Sequence, residues 1–273
     1  MNRRRFLALS ACALATPAGA APLRWTTRAM GAEVSVTLTG LDAARARRVW
    51  RRVARALARI EAAASLHRAS DLVRLNRTGV LVNPGRVLRD LVALSDRVHQ
   101  ATGGAFSPCV QSYWADSKNI VTGWELADLS VGNFCLPPGM ALTFNGVAQG
   151  YAADQLAEIV RAEGLTDVLI DAGEIMALGA HPVGIAAADG TVLKRLALQD
   201  RALATSSPWA TLLADGRPHI LHPERSVLHD TVSVSAPSAA LADALSTAFC
   251  LMTQAEIDRA LMQFPEARVE SVA

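Results

Sequence analysis

A chain of 273 residues with 51% hydrophobic side chains is one large domain or two small ones, with ample apolar material for a buried core. The formal net charge is only +2 and aromatic residues make up 5%. Beyond the first residues, arginines gather only along 43–59, at helical spacing beside Ala, Leu and Val, which is a solvated helix face and gives no case for a nucleic-acid partner.

The first segment, "MNRRRFLALSACALATPAGAAP", is a targeting signal. Arg3, Arg4 and Arg5 precede Phe6 and Leu7 in a twin-arginine pattern, a short apolar run follows, and Ala18-Gly19-Ala20 forms a small-residue cleavage site. The expectation is export of a folded protein to the periplasm, with residues 1–20 removed and one large domain over 21–273. The leader has three arginines and no acid, so its loss takes the formal charge from +2 to −1. A rival reading takes Leu9-Ser10-Ala11-Cys12 as a lipobox and Cys12 as a lipid anchor; the apolar stretch before it is short, which ranks this second. No later segment approaches the ~20 uninterrupted apolar residues of a membrane span. Without Cys12 three cysteines remain, Cys109, Cys135 and Cys250, with no metal-binding spacing. Three buried thiols are the simpler expectation, and one disulfide the alternative.

Along the chain, residues 33–39 ("EVSVTLT") alternate as a strand, and Asp42 can cap a helix running to about Ala63. A second helix is predicted over 86–101, ended by Gly103-Gly104. Residues 107–142, rich in Gly, Pro, Ser and Asn, read as an irregular connection. "FNGVAQGYAAD" (144–154) then introduces an amphipathic helix with Leu156, Ile159 and Val160 on one face. Two short strands flank Asp171-Ala172-Gly173. Strands at 183–188 and 192–198 form a hairpin around Asp189-Gly190. A strand at 231–236, a helix from Pro237 to about Met252 and a last helix over 255–263 complete the order. Hairpin signals outnumber parallel crossovers, so the fold class is α/β (α+β), with mainly antiparallel sheets flanked by helices.

Four features carry chemistry. Gly146 and Gly150 bracket a helix start whose N–H groups and positive dipole end could receive an anion. Asp243 and Thr247, four residues apart in "ADALSTA", share a helix face and offer a hard cation two oxygen ligands. His219 and His222 in "HILHP" are candidate bases near neutral pH. Thr205, Ser206 and Ser207 offer hydroxyls in a turn. Each alone is more simply structural.

Their order resembles the ApbE family, the FAD:protein FMN transferases, over nearly all of the chain after the leader. The family's opening strand is matched by Met30-Gly31-Ala32 before "EVSVTL". Its next elements are matched by "SLHRASDLVRLN" (65–76) and "TGGAFSP" (102–108). The later ones are matched by "GVAQGYAAD", "AGEI", "TSS", "HILHP" and "ADALSTA". The form with Gln149 is similar to the NosX-like branch of exported nitrous-oxide-reduction accessory proteins. The resemblance implies an ApbE-like fold and a Mg²⁺-dependent enzyme that cleaves FAD and attaches FMN by a phosphoester to a Thr or Ser of an acceptor flavoprotein. The acceptor would be NosR-like or an electron-transport subunit, exported or membrane-bound. It further implies that Ala148 (through its carbonyl), Asp243 and Thr247 hold the metal and that His219 is the base. Met30, His67, Gly146, Ala148, Gly150, Ala172, Gly173, Glu174 and Ser206 would line the FAD site. On this reading the two glycines admit the backbone to the flavin and pyrophosphate. The chain departs from the pattern at Gln149 (a family lysine), His67 (a tyrosine), Ala172 and Ser207 (glycines) and His222 (an aspartate). Its "ALGAHPVGIAAADG" hairpin is short and lacks a tryptophan. Rival readings are a periplasmic FAD-binding protein, a Mg²⁺-dependent FAD pyrophosphatase and an assembly scaffold. An Asp/Thr pair together with a histidine favours an enzyme.

Overall fold

The computed structural model describes residues 23–114 and 120–273. The leader, its cleavage site and Cys12 lie outside them.

The chain opens with a hairpin, β1 (Leu23–Ala29) and β2 (Ala32–Leu38), turned at Met30 and Gly31, both with positive φ. Helix α1 (Ala43–Ala64) starts where Asp42 accepts hydrogen bonds from the backbone N–H groups of Ala44 and Arg45, at 2.9 and 2.8 Å. Its apolar stripe, including Val49, Val53, Leu57 and Ile60, is buried. Of its arginines, Arg45 and Arg52 are bound to Glu163 at the far end of α5, so the charged face is in part a clamp. A short helix not anticipated from periodicity, α2 (Asp71–Thr78), is capped by Ser70 and closed by left-handed Gly79. Strand β3 (Val80–Val82) leads into α3 (Arg86–Ala101), at the predicted bounds.

The connection that follows contains the brief helix α4 (Gln111–Trp114) and strands β4 (Asp128–Leu129) and β5 (Asn133–Cys135). Next come α5 (Ala148–Ala162), β6 (Val168–Asp171), β7 (Ile175–Leu178), β8 (Ala180–Ala186) and β9 (Val192–Gln199). The chain ends with β10 (Ala202–Ser206), β11 (Val232–Ala236), α6 (Ala239–Phe249), α7 (Gln254–Leu261) and β12 (Arg268–Val272). Thr205 and Ser206 therefore end a strand and do not sit in a turn. The helix predicted from Pro237 begins two residues later, where Ser238 caps it.

The main sheet has the order β1-β2-β6-β7-β10-β11-β12, and every pairing in it is antiparallel. β3, β5 and β4 form a small second sheet, and β8 pairs only with β9. β11 is buried along its whole length and α6 packs on it and on β10. Each fully buried Val or Leu there stabilises the fold by roughly 1.5–3 kcal/mol. Helix α5 lies between α1 and α6, and two interlocks hold it against α6. A Cβ on Gly150 would fall 2.3 Å from the carbonyl oxygen of Ala239, so glycine alone permits this approach. Asp154 accepts from Ser238 Oγ and from the N–H groups of Ala239 and Ala240 at 2.7, 2.7 and 3.0 Å, capping α6 from the neighbouring helix.

Cys109, Cys135 and Cys250 are all free thiols, and Cys135 is only half-buried. Burial pushes the Cys109 and Cys250 thiols up to about 12. In a protein beginning at residue 21, a thiol reagent at pH 8 is expected to modify Cys135 promptly and the other two only on unfolding. Three promptly reactive thiols would contradict this arrangement.

Candidate active site

A cavity of about 1100 Å³ opens where the start of α5, the β6–β7 turn, the end of β10 and the middle of α6 converge. The β8–β9 hairpin and the loop Ala105–Pro108 form its outer walls. That loop is cross-braced. Thr102 Oγ1 accepts from Phe106 N at 3.1 Å, His99 Nδ1 is 2.8 Å from Phe106 O, and Arg225 donates to Gly103 O at 3.2 Å. "TGGAFSP" is thus a rigid rim.

Asp243, on α6, is buried at 4% exposure. Its carboxylate accepts from Gly150 N at 3.2 Å, so it occupies the N-terminal turn of α5. This corrects the expectation for the paired glycines. The Gly150 N–H is already engaged by a protein carboxylate, and Gly150 is required by α6 packing. Gly146 faces the site differently: a Cβ there would come within 3.0 Å of Thr247 Oγ1, so glycine preserves space around that hydroxyl. Ser206 Oγ lies 3.3 Å from Thr247 Oγ1 and 2.8 Å from Ser246 Oγ, which orients both hydroxyls. Glu174, 8% exposed, accepts from Thr205 N at 3.2 Å.

These carboxyls sit in a dry, anionic place. Burial raises Asp243 to about 7 against the pull of the Gly150 N–H. Burial and then the Asp243 charge drive Glu174 well above the usual carboxylate range. Asp171, accepting from Gly173 N at 3.1 Å, is likewise raised by burial.

His219 enters at the mouth. Its Nδ1 is 2.8 Å from Pro208 O and 3.2 Å from Thr211 O. Carbonyls only accept, so Nδ1 carries the hydrogen; whenever the ring is neutral, Nε2 is its basic nitrogen. The backbone N–H of His219 donates to the same two carbonyls, fixing the ring's base. His222 does not line the cavity; its Nδ1 accepts from Glu224 N, and burial followed by the Arg225 charge lowers its pKa. Of the two candidate bases, only His219 is at the site.

The cavity therefore collects His219, Gly146, Gly173, Glu174, Ser206, Asp243 and Thr247. Gly173 is left-handed (φ +96°), and a Cβ on it would strike the Gln149 amide at 2.8 Å. Met30, His67, Ala148, Gly150 and Ala172 are not on its walls. Met30 is one step removed, its carbonyl accepting from Gln149 Nε2 at 3.4 Å. His67 is exposed beyond α1, with its N–H donating to Ser65 Oγ. Ala148 is the buried first residue of α5, Gly150 lies against α6, and Ala172 is buried in the β6–β7 turn. Gln149 and Thr205, both singled out in the sequence, also line the wall, whereas Asp171 and Arg195 were missed as site residues. The acidic "DAGE" turn was a signal for Asp171. Nothing local marks Arg195.

The fit to a hard cation rests on donor chemistry. Asp243 and Thr247 offer only oxygens, and two buried carboxyls beside each other would be relieved by a positive charge. Among the described residues no three His, Cys, Asp or Glu side chains are grouped to hold a metal. A cation here would complete its shell with hydroxyl, carbonyl, water or substrate oxygens.

The family model described as "ApbE family" matches residues 30–270. No curated protein matches the chain significantly. Among solved structures, the ApbE protein of Thermotoga maritima aligns with TM-score 0.76 at 21% identity, over 93% of this chain and 96% of that one. The apo flavinyl transferase ApbE of Pseudomonas stutzeri aligns with TM-score 0.72 at 20% identity, over 90% and 89%. The flavin transferase ApbE of Vibrio cholerae gives 0.70 at 17%, over 89% and 90%.

Proposed function

Because the chain belongs to the ApbE family, we propose that it is a Mg²⁺-dependent FAD:protein FMN transferase. In this reaction a Thr or Ser hydroxyl of an acceptor flavoprotein attacks the FMN phosphorus of FAD. The new P–O bond is the phosphoester to the protein; the pyrophosphate P–O bond breaks, and AMP leaves with the electron pair. The observation that carries the reading is the convergence in one cavity of the Asp243/Thr247 pair with a histidine held in the Nδ1–H tautomer.

Mg²⁺ held by Asp243 and Thr247 would neutralise pyrophosphate charge. His219 Nε2 takes the proton of the incoming hydroxyl, with Nδ1 engaged by the Pro208 and Thr211 carbonyls. Ser206, itself held by Ser246, orients the Thr247 hydroxyl. The twin-arginine leader supports a periplasmic site of action, with an exported or membrane-bound acceptor.

The test is to incubate the protein from residue 21 onward with FAD, Mg²⁺ and a domain bearing an acceptor threonine, reading FMN addition by intact mass. An adduct that chelation abolishes is the expected result. His219→Ala should slow adduct formation by about 10²–10⁴-fold while FAD still binds. AMP release with no adduct would mean that water is the acceptor and the enzyme a pyrophosphatase. Bound FAD with neither product would mean a flavin-binding accessory protein.

A further inference from the structure

The charge on the cavity wall is lopsided. Asp171, Glu174 and Asp243 line it, and Arg195 is the only Lys or Arg among the described residues that does. Arg195 lies on β9 directly opposite Gly184 of β8, so no cross-strand side chain anchors it. The pleat separates two faces of this hairpin. Val183, Ile185 and Leu198 pack toward Leu203 and Ala177, and on that side Lys194 is tied to Glu270 at 2.8 Å. Pro182, Gly184, Ala197 and Arg195 occupy the opposite face; all four line the cavity, which Val183, Ile185 and Leu196 of the first face also border. Among the described residues no carboxylate is ion-paired with the Arg195 guanidinium, whereas the ion pairs of Arg45, Arg52, Arg68, Arg74, Arg86, Arg217 and Arg225 lie elsewhere, none of them involving the cavity's acids. A solvent-exposed arginine on the wall of a cavity whose other charged wall residues are acids is arranged for an anion brought in from outside.

We infer that Arg195 is the residue by which this cavity recognises the diphosphate of the dinucleotide, and so sets affinity for FAD over flavins without that group. The inference rests on the flavin reading above. Arg195 acts on binding and holds no proton of the reaction. Its planar fork can donate two hydrogen bonds to phosphate oxygens, a geometry that glutamine cannot supply and lysine meets only as a point charge.

The experiment measures affinities of the wild type, Arg195→Gln and Arg195→Lys for FAD, riboflavin and ADP by fluorescence and calorimetry, with kcat and KM for FMN transfer alongside. Arg195→Gln is expected to weaken FAD and ADP by about tenfold. Riboflavin affinity and kcat should be unchanged, and Arg195→Lys should recover part of the loss. Unchanged FAD affinity in Arg195→Gln overturns the inference and leaves the transferase reading standing. An equal loss for riboflavin also overturns it, since that would report a distorted hairpin. A wild type that binds no FAD removes both readings together.

Discussion

Asp243→Asn is expected to abolish FMN transfer and at the same time to make the protein more stable near pH 8 in the absence of divalent cations. The loss follows from removing the one carboxylate that can pair with Thr247 on a cation; a fall of at least about 10²-fold is expected. The gain follows from burial. The wild-type carboxyl has its pKa raised to about 7 in the fold against an ordinary 3.8. Below pH 3.8 it is neutral in both states and adds no penalty. As the pH rises from 3.8 to about 7 the unfolded chain ionises first, and stability drains away until the folded carboxyl ionises too. Asparagine keeps the acceptor oxygen for Gly150 N and never ionises, so the variant escapes this decline. Glu174, raised in part by the Asp243 charge, is relieved as well. In thermal melts the two proteins should coincide near pH 4 and diverge toward pH 8. Mg²⁺ should raise the midpoint of the wild type only. Coincident melts at pH 8 would show that Asp243 is already compensated in the fold.

Gly150→Ala is expected to be among the most damaging single-methyl changes. The added Cβ would sit 2.3 Å from Ala239 O, 2.5 Å from Ala239 C and 2.6 Å from Ala240 Cα, all backbone atoms that cannot rotate away. Helices α5 and α6 must separate, at a cost at or above the upper end of about 1–3 kcal/mol. The same separation lengthens the Gly150–Asp243 hydrogen bond, so activity should fall with stability. Gly146→Ala is the contrast. Its Cβ would meet the Thr247 hydroxyl at 3.0 Å, a side-chain atom, so the melt should change little while transfer suffers. Equal melts for wild type and Gly150→Ala would refute the interlock.

How far the fold could be read in advance depended on how local each determinant was. Asp42 with the apolar stripe of α1, the bounds of α3 and the Asp189-Gly190 hairpin were all legible, because caps, periodicity and turn residues act within a few positions. Helix α2 has only eight residues, too few for a stripe to emerge. β1 alternates half-buried and exposed positions as "LRWTTRA", and β10 and β12 are five-residue pieces whose identity comes from the strands beside them. At the site, Asp243, Thr247 and His219 were found from residue type and order. The reason for Gly150 was missed because it lies in the backbone of a helix almost ninety residues later. Arg195 was missed because an arginine in a strand means nothing until the cavity beside it exists.

The two sides of the cavity are built to different standards of permanence. Asp154, Gly150 and the capped start of α6 form a unit in which almost any change is felt elsewhere. The β8–β9 hairpin stands outside the main sheet, joined by a small apolar patch, the Lys194–Glu270 tie and His181, whose ring meets Leu178 O and Asp167. Lineages can therefore recolour or resize that wall while the catalytic interior stays untouched. A designer who wants to reshape the cavity would graft hairpins and leave the helices alone.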